Sequence, residues 1–513
     1  MWNILKDSMT PTLTRFVLII GVLNFVLFQY PFFNYVFSNI DYTSFNGVLA
    51  IVSLMVLMVV ANAFVFYILL YLLRVVGKAL LVIFFIINAV AVYFINTYSV
   101  ILDESMIGNV LNTNYEESSN FFSFKIILYI IILGVLPSIY IIKAKIIRST
   151  FKRFITTTSL TLLFVLVMIF VNAGNWLWID NHSKYLGGLA MPWSYTVNIS
   201  LYYTHKYKEN RKEILLPDAK IKNNEKAVVV LVIGESARSE NFSLYGYAKN
   251  TNPLLSQMED ISFFPAKSGA TYTTAAVKHI LEHKNTRELY EILPNYLYRN
   301  GVEVVWRTTN SGEPPIHIEK FQNRKVLAQN CQGEGCSYDE ILITGLKEQI
   351  LASTKSKVLI ILHTSTSHGP TYNKRYPPQF EVFKPVCESV ELANCSHEEL
   401  INAYDNTIVY TDYLLSKIIE TLKELSDYKK TMLFVSDHGE SLGEKNLYMH
   451  GLPMSVAPKE QYEIPFIIWT DSTTQIKPAT SLSQNHVFHS VLNFLEIESP
   501  VYNEDMNIFC ENP

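Results

Sequence analysis

The sequence predicts a membrane-anchored α/β protein, in which five transmembrane helices precede a mostly parallel sheet with helices on both faces. Two observations support this fold class. Long apolar runs, nearly free of charge, fill residues 1–175 of the 513, and the mean hydropathy of the whole chain is +0.17. Strand-like and helical patterns then alternate over residues 200–513, as in a soluble α/β domain.

Five apolar segments are long enough to cross a bilayer, which takes about 20 residues each. They cover residues 14–37, 47–73, 79–98, 123–142 and 154–176. Lys and Arg cluster at the segment ends that would share one side, whereas the opposite loops, 38–46 and 99–122, contain neither residue. The positive-inside rule therefore places the basic ends in the cytoplasm and everything after residue 176 outside it.

A domain boundary is predicted between the apolar and the α/β parts of the chain. Trp178 and Trp193 stand among polar residues, a pattern typical of chain at the membrane–water interface. From Lys206 to Lys226 the chain becomes charged and rich in Asn, which indicates a linker. The predicted division is a membrane anchor (1–176), an interfacial helix and linker (177–226) and an extracytoplasmic domain (227–513).

The α/β pattern consists of five strand-like runs with helical stretches between them. The strands are predicted at Ala227–Ile233, Val302–Trp306, Lys357–Leu362, Thr431–Val435 and Ile464–Trp469. The helices are predicted at Thr274–His283, Thr286–Asn300, Asp339–Thr354 and Leu400–Leu425. This alternation favours a parallel sheet covered on both faces, whose ligands bind outside the carboxyl ends of the strands.

Charge and cysteine content narrow the function classes. The net charge of −4 gives no basic surface for nucleic acid, so that class is excluded. All five cysteines fall in the second half, as two close pairs and a leftover Cys510. Short polar loops between paired cysteines favour disulfides in an oxidising compartment over a zinc ribbon, which uses C-x₂-C spacing.

Two strand ends carry side chains that suit a metal ion. Asp437 and His438 directly follow one strand, and Glu235 follows the first strand of the domain. A carboxylate supplies charge and a neutral imidazole supplies nitrogen, which together suit a zinc-like divalent cation. The alternatives are a solvated turn with a capping Asp437 and, for Glu235, a charge favoured at a helix start.

A turn of small residues, 268–272, enters a helix with adjacent Thr273 and Thr274. A hydroxyl there is most often a cap. The same place also offers free backbone donors to a phosphoryl group, and a metal would activate a threonine there as a nucleophile. His363 and His368 follow another strand, and the Gly-Pro after His368 favours a metal or phosphate role.

Together these motifs resemble the membrane-bound phosphoethanolamine transferases that modify lipid A and related surface glycans. The resemblance is carried by Glu235 in IGESAR, SHGPTY at 367–372, AYDNTIVYTDY at 403–413, SDHGESLGE at 436–444 and MHGLP at 449–453. It covers essentially the whole chain. It implies an alkaline-phosphatase/sulfatase-like fold and a multi-pass protein of the bacterial inner membrane with its catalytic domain in the periplasm.

The resemblance also implies a zinc site formed by Glu235, Asp437, His438 and the nucleophilic threonine, and it leaves a second zinc open. The apolar helix face that includes Val277 selects Thr273 as that threonine. Counting from the preceding strand selects Thr274 instead, so both stay open, with Thr273 preferred because burial fixes the register of a helix.

Further residues match family positions outside the metal site. His368 and His450 correspond to histidines that hold the phosphoryl group or a second metal. Cys331–Cys336 and Cys387–Cys395 match family disulfides. A family lysine in a Cys-Lys-Gly-x-Cys loop has no counterpart near residues 311–315.

The loop after the third span carries Asn109, Thr113 and Glu117 at a spacing of four, which would place them on one face of a helix. A polar external surface is the alternative explanation. The family uses this pattern to hold the ethanolamine head group of its lipid donor, and an acidic group suits an ammonium.

The predicted function is a zinc-dependent transferase that acts as a monomer. It moves phosphoethanolamine from phosphatidylethanolamine to lipid A, or to another surface glycan or protein, through a covalent intermediate on Thr273. The alternatives are a phosphoglycerol transferase, a sulfatase or phosphodiesterase on the same fold, and an inactive membrane-anchored binding protein. A sulfatase would need a Cys-or-Ser-x-Pro-x-Arg segment, which the Thr-rich turn lacks.

Overall fold

The computed structural model describes residues 10–113, 118–209, 213–286, 288–471 and 474–510. The chain forms two compact units. The first contains Met1–Ile107 and Phe122–Tyr202, and the second contains Gly108–Phe121 and Tyr203–Pro513. The short stretch Gly108–Phe121 therefore groups with the α/β unit, although it lies between apolar helices along the chain. The predicted boundaries at 176 and 226 stay predictions.

The amino-terminal part of the chain is helical. Its helices are α1 (Leu13–Phe28), α2 (Tyr30–Asn39), α3 (Phe45–Tyr98), α4 (Glu104–Asn112), α5 (Phe124–Lys143, with a π-helical stretch), α6 (Phe151–Val171), α7 (Trp176–Asn181), α8 (Ser183–Leu189) and α9 (Trp193–Glu209). Within the described residues, α3, α5 and α6 are each long and apolar enough to cross a membrane. The pair α1 and α2, bent by 63°, gives a fourth candidate. The structure thus has three or four candidate spans, against the five predicted.

The second unit alternates strands and helices, as predicted. Its strands are β1 (Lys220–Ile221), β2 (Ala227–Gly234), β3 (Ile261–Lys267), β4 (Glu303–Thr308), β5 (Lys320–Asn323), β6 (Lys357–His363), β7 (Lys429–Ser436), β8 (Ser441–Leu442), β9 (Tyr448–Met449), β10 (Glu463–Thr470), β11 (Leu482–Ser483) and β12 (Ile497–Glu498). Its helices are α10 (Thr273–Leu281), α11 (Leu293–Arg299), α12 (Arg324–Leu327), α13 (Leu346–Leu351), α14 (His397–Lys423) and α15 (His486–Phe494).

Eight strands form one mixed sheet in the order β11-β3-β10-β7-β2-β6-β4-β5. Every neighbouring pair is parallel except the two pairs made by β10, which is antiparallel to both β3 and β7. Strand β10 therefore runs against all the others. The mostly parallel sheet is confirmed, and the carboxyl ends of β2, β3, β4, β6 and β7 meet at one edge.

Both faces of the sheet are buried, which explains why the central strands are continuous apolar runs. Alternate residues of β2, including Val229 and Leu231, join a cluster with residues of α10, α11 and α15. The intervening Val228 and Val230 are equally buried, and α14 packs on β7. This burial fixes the register of each strand, because a one-residue slip would reverse its faces.

Two predicted helices are shorter than expected. Among the described residues of the stretch predicted at Thr286–Asn300, only Leu293–Arg299 is helical, because the preceding Tyr290 pairs with Ile214 as an isolated bridge. The helix predicted at Asp339–Thr354 is interrupted by Gly345, whose φ of +61° separates a 3₁₀ turn from α13. Strand β3 and the edge strands β5 and β11 were not predicted, since their burial is only partial and their apolar pattern is weak.

The structure contains the disulfides Cys331–Cys336 and Cys387–Cys395, as predicted, and Cys510 is free. The second disulfide closes the loop that precedes α14, and the Cys387 N–H donates to the Glu399 carbonyl of that helix.

Replacing Cys387 and Cys395 together by Ser should lower the free energy of unfolding by about 2–3 kcal/mol, because the unfolded chain regains the entropy of a short loop. The melting temperature should fall by roughly 2–5 °C in thermal denaturation of the full-length protein. Cys510→Ser is the matched control and should leave it unchanged. An equal effect of both changes would contradict the role assigned to the disulfide.

Candidate active site

The carboxyl edge of the sheet gathers most of the residues that the sequence singled out. Glu235 directly follows β2, and Asp437 and His438 directly follow β7. Because β2 and β7 are neighbours paired Gly234 to Ser436, the two strand ends deliver these side chains side by side. Strand β3 leads into the turn before Thr273, so the hydroxyl reaches the same edge.

The two carboxylates are held differently. Asp437 Oδ1 accepts the backbone N–H groups of Ser236 at 3.0 Å and His438 at 2.6 Å, while its Oδ2 is buried without a hydrogen-bond partner among the described residues. Glu235 Oε1 accepts the Ser236 hydroxyl at 2.6 Å, and its Oε2 accepts the Asn310 amide at 2.6 Å. Both side chains are 1% exposed or less, so each is fixed in orientation.

His438 presents an unprotonated nitrogen to these carboxylates. Its Nδ1 lies 2.9 Å from the Gly439 carbonyl, which only accepts, so Nδ1 carries the proton and Nε2 keeps its lone pair. Nε2 lies 3.3 Å from Asp437 Oδ2 and 3.6 Å from Glu235 Oε1. Three electron-rich atoms thus face one another in a buried space, an arrangement that a cation would stabilise.

The electrostatics of the buried groups agree with that arrangement. Burial and the neighbouring Glu235 raise the pKa of Asp437 well above its usual value. Burial and the nearby His450 lower the pKa of His438 to about 3, so its ring is neutral. Burial opposes the charge of Glu235, yet the neighbouring His368 and His450 hold the pKa of Glu235 below its usual value.

Thr273 is the first residue of α10 and points its hydroxyl into the same space. Its Oγ1 lies 3.3 Å from Glu235 Oε2 and 3.3 Å from His438 Nε2. The Thr274 hydroxyl faces elsewhere, against Gly312, where a Cβ would approach it to 3.2 Å. The buried face of α10, which includes Val277 and Ile280, sets this rotation. The geometry therefore places Thr273, and not Thr274, beside the carboxylate and the imidazole.

The two other predicted histidines lie next to this group. The His450 ring centroid is 4.2 Å from that of His438 and 5.6 Å from that of His368. His450 Nδ1 donates to Glu440 Oε1 at 3.1 Å, and Glu440 accepts the Tyr372 hydroxyl at its other oxygen. His363, in contrast, is buried beneath the edge and pairs with Glu313 at 3.4 Å.

Glu235, His438 and His450 offer ligand atoms that lie within 4.8 Å of one another, the spacing of a metal site. The sequence placed Asp437 and Thr273 with Glu235 and His438 and assigned His450 to the phosphoryl group or a second metal. The structure brings all five together. The donor set of carboxylates and neutral imidazole fits zinc, and the unpartnered Oδ2 of Asp437 marks a point where a cation would be stabilised.

A helix far along the chain supports the loop that carries Glu235. Ser236 has a φ of +52°, and its carbonyl accepts the Tyr404 hydroxyl of α14 at 2.6 Å. The same hydroxyl accepts the Arg238 N–H at 2.9 Å. Asp405 follows on the helix and accepts the Asn241 amide at 2.6 Å. The AYDN motif therefore positions the loop that carries Glu235, a candidate metal ligand.

Sequence reasoning missed Asn310 and Glu440, which orient site residues. Asn310 follows β4 by two residues, so the carboxyl-end rule would have pointed to it. Its amide donates to Glu235 and to the Thr364 carbonyl. Glu440 lies inside the motif that was read for Asp437 and His438. Near Asn310, where the family lysine is absent, Glu313 pairs with His363.

Asn310→Ala should weaken metal binding or lower the transfer rate by about 10–100-fold, because the second oxygen of Glu235 loses the donor that orients it. Chelator competition would measure the metal affinity of the full-length protein. Asn394→Ala is the control, since that amide bonds Glu391 in the loop of the second disulfide. Equal losses in both variants would exclude a specific effect on Glu235.

The predicted head-group residues are only partly described. Asn109 and Thr113 lie one helical turn apart, with Thr113 Oγ1 donating to the Asn109 carbonyl at 2.7 Å. A Cβ on Gly451, beside His450, would lie 3.1 Å from Asn109 Nδ2, so this segment reaches the histidine loop. Glu117 lies outside the described residues.

Both parts of the chain match known protein families. A family model described as Sulfatase matches residues 227–497, and one described as Phosphoethanolamine transferase EptA/EptB matches residues 58–207. The chain is 40% identical over 502 residues to the phosphoethanolamine transferase EptA of Helicobacter pylori, with 94% of each chain covered.

Solved structures are similar over the same range. The integral membrane protein lipooligosaccharide phosphoethanolamine transferase A from Neisseria meningitidis matches with a TM-score of 0.86 at 27% identity, over 97% of this chain and 98% of that one. The C-terminal periplasmic domain of phosphoethanolamine transferase EptC from Campylobacter jejuni matches with a TM-score of 0.51 at 34% identity, over 58% of this chain and 97% of that one.

Proposed function

Because the chain belongs to the phosphoethanolamine transferase family, we propose that it moves phosphoethanolamine from phosphatidylethanolamine to lipid A or another surface acceptor through a covalent intermediate on Thr273. One observation carries this proposal: the Thr273 hydroxyl lies 3.3 Å from both Glu235 and His438 at the carboxyl edge of the sheet. A nucleophile beside a metal-binding group is the arrangement that covalent phosphoryl transfer needs.

The metal of the proposal is zinc, held by Glu235, Asp437, His438 and Thr273. When bound, zinc would lower the pKa of the Thr273 hydroxyl and stabilise negative charge on the transferring group. The chain's own residues fix the geometry: Ser236 and Asn310 each orient one oxygen of Glu235. His450 lies close enough to complete the set or to bind a second ion.

In the first step, Thr273 Oγ1 attacks the phosphorus, and the bond from phosphorus to the glycerol oxygen breaks. Diacylglycerol leaves with a proton, and phosphoethanolamine remains on the threonine. In the second step, an acceptor oxygen attacks the same phosphorus, and the bond to Thr273 breaks. The positive end of α10 and its free N–H groups favour the phosphoryl charge throughout.

His368 and His450 are proposed to bind phosphoryl oxygens and to move the protons. Glu440 accepts from His450 Nδ1, so His450 Nε2 can exchange a proton with the leaving or entering oxygen. Arg375 Nε donates to the His368 carbonyl at 3.0 Å, which fixes the loop that carries this imidazole.

Donor binding is assigned to Asn109, Thr113 and Glu117, whose polar groups suit an ethanolamine ammonium. The contact of Asn109 with the His450–Gly451 turn supports this assignment. A membrane anchor keeps the site next to its lipid substrate, so a high local concentration replaces tight binding.

The proposed membrane topology has five spans. Helix α3 would be about 81 Å long at 1.5 Å per residue, whereas a bilayer core is about 30 Å thick. Arg74 breaks α3 with non-helical backbone angles, so α3 supplies two spans and the bent pair α1 and α2 one. We propose that the enzyme is a monomer of the inner membrane, with residues 177–226 at the interface and 227–513 in the periplasm. The matching domain of the Campylobacter jejuni relative is periplasmic.

Mass spectrometry of lipid A from cells with and without the gene tests the proposed function. Phosphoethanolamine should be present on lipid A only when the gene is present. A phosphoglycerol head group on the acceptor would establish the alternative transferase, and an unchanged lipid A would exclude it as the acceptor. Absence of stoichiometric zinc from the purified protein would favour an inactive binding protein.

A further inference from the structure

The α/β unit contains a polar cavity near the transfer site that no step above uses. Its volume is about 140 Å³, whereas one water needs about 10–15 Å³ in such a cavity. Three basic residues line it, Arg324, Lys374 and Arg375, together with Asp339 and small polar side chains that include Ser365 and Asn120. A space of this size holds a tetrahedral anion with its oxygens facing the wall.

The described residues that line the cavity carry a net positive charge. Three of them are cationic and one is a carboxylate, Asp339, which is 3% exposed. Both oxygens of Asp339 are already bonded: Oδ1 accepts the hydroxyls of Thr309 and Ser365, and Oδ2 accepts the Ser365 N–H and the Thr366 hydroxyl. These four donors screen the carboxylate, so the wall attracts an anion.

Arg324 provides a donor that the described residues do not satisfy. Its Nη1 donates to the Ser337 carbonyl at 3.1 Å, and its Nη2 lies 3.7 Å from Asp339 Oδ1. Its Nε is buried and makes no hydrogen bond within the described parts of the chain. A buried donor without a partner is costly, and a guanidinium matches the oxygens of a phosphate.

The cavity adjoins the site of chemistry through Arg375, which lines it and also donates to the His368 carbonyl. Ser365 lines the cavity and lies three residues before His368. Asn120 lies beyond the Asn109–Thr113 segment that is assigned to the donor. The cavity therefore borders the loop that carries His368.

We propose that the cavity bounded by Arg324 and Lys374 binds a phosphate group of the acceptor. This inference rests on the proposed function. The donor phosphatidylethanolamine carries a single phosphate, which must lie at Thr273 for transfer. An additional anion site therefore serves the second substrate, either through the phosphate that attacks or through another phosphate on the same molecule.

The test separates the two half-reactions of full-length protein in detergent with phosphatidylethanolamine. Lys374→Gln and Arg324→Gln should form the phosphoethanolamine adduct at the wild-type rate. The KM for phosphorylated lipid A should rise about 5- to 100-fold, as expected for the loss of a charged hydrogen bond. Inorganic phosphate should compete with the acceptor in the wild type and less in the variants.

Two controls make the result specific. Lys384→Gln changes an exposed lysine that pairs with Glu381 and should leave KM unchanged. Lys374→Arg should keep most of the affinity, because it retains the charge. An unchanged KM for the acceptor in both Gln variants would overturn the inference. If the Gln variants lost adduct formation as strongly as transfer to the acceptor, the cavity would be assigned to the donor and the inference would also be overturned. If the wild type forms no adduct, the covalent mechanism fails, and the acceptor KM in turnover still tests the cavity.

Discussion

Replacing Thr273 by alanine is expected to abolish transfer, with a fall in kcat of at least about 10³-fold, because the variant has no oxygen to attack phosphorus. Mass spectrometry of the intact protein after incubation with phosphatidylethanolamine should detect the phosphoethanolamine adduct on the wild type and not on the variant. The fold should remain, since Thr273 is only partly buried at the start of α10.

Thr274→Ala is the matched control, because it removes the same atoms one position along the helix. Its hydroxyl lies against Gly312, away from Glu235 and His438. We expect the adduct to persist in this variant. An adduct that survives in Thr273→Ala and disappears in Thr274→Ala would move the nucleophile to Thr274 and would mean that α10 is rotated relative to the structure described here.

Asp437→Asn is expected to lower the stability of the protein when metal is present and to raise it when metal is removed. With zinc present, the variant should lose most of its bound metal and at least about 10³-fold in activity, because a charged ligand is gone. With a chelator present, it should be more stable than the wild type by about 1–3 kcal/mol. The Asn retains the oxygen that accepts from Ser236 and His438, and its new N–H₂ can donate to the lone pair of His438 Nε2, 3.3 Å from the present Oδ2.

Metal analysis and thermal denaturation of both proteins, with and without chelator, would measure this crossover. The chelator should lower the melting temperature of the wild type and leave that of Asp437→Asn nearly unchanged. If the variant were less stable than the wild type in both conditions, Asp437 would be a structural residue whose burial does not depend on a cation.

The sequence was sufficient to predict the metal-site candidates because they follow apolar strands. Parallel strands that are buried on both faces share one direction, so Glu235, Asp437 and His438 had to meet at one edge. The choice of Thr273 over Thr274 followed from the apolar face of α10, and the structure places the Thr273 hydroxyl at the metal-site candidates. The roles of these residues stay proposals.

Other features depend on loops, and no periodic pattern determines a loop. His450 lies after the two-residue strand β9, so nothing in the spacing indicated that it would approach His438 as closely as 4.2 Å between rings. Asn310 follows β4, whose predicted end at Trp306 is two residues before the observed end at Thr308. Two helices were also predicted too long. Gly345 interrupts one of them, and the pairing of Tyr290 with Ile214 shortens the other, and local helix propensity predicts neither effect.

The hydrogen bond from Ser236 to Asp437 joins residues 201 positions apart, and Tyr404 must also be in place to hold the intervening loop. Contacts of such long range form late in folding, because loop closure must come first. No partial chain emerging from the membrane can therefore coordinate an ion through this set of ligands. At the proposed zinc site, metal loading is expected to be the last event of maturation and to depend on the supply of free zinc where the finished domain resides.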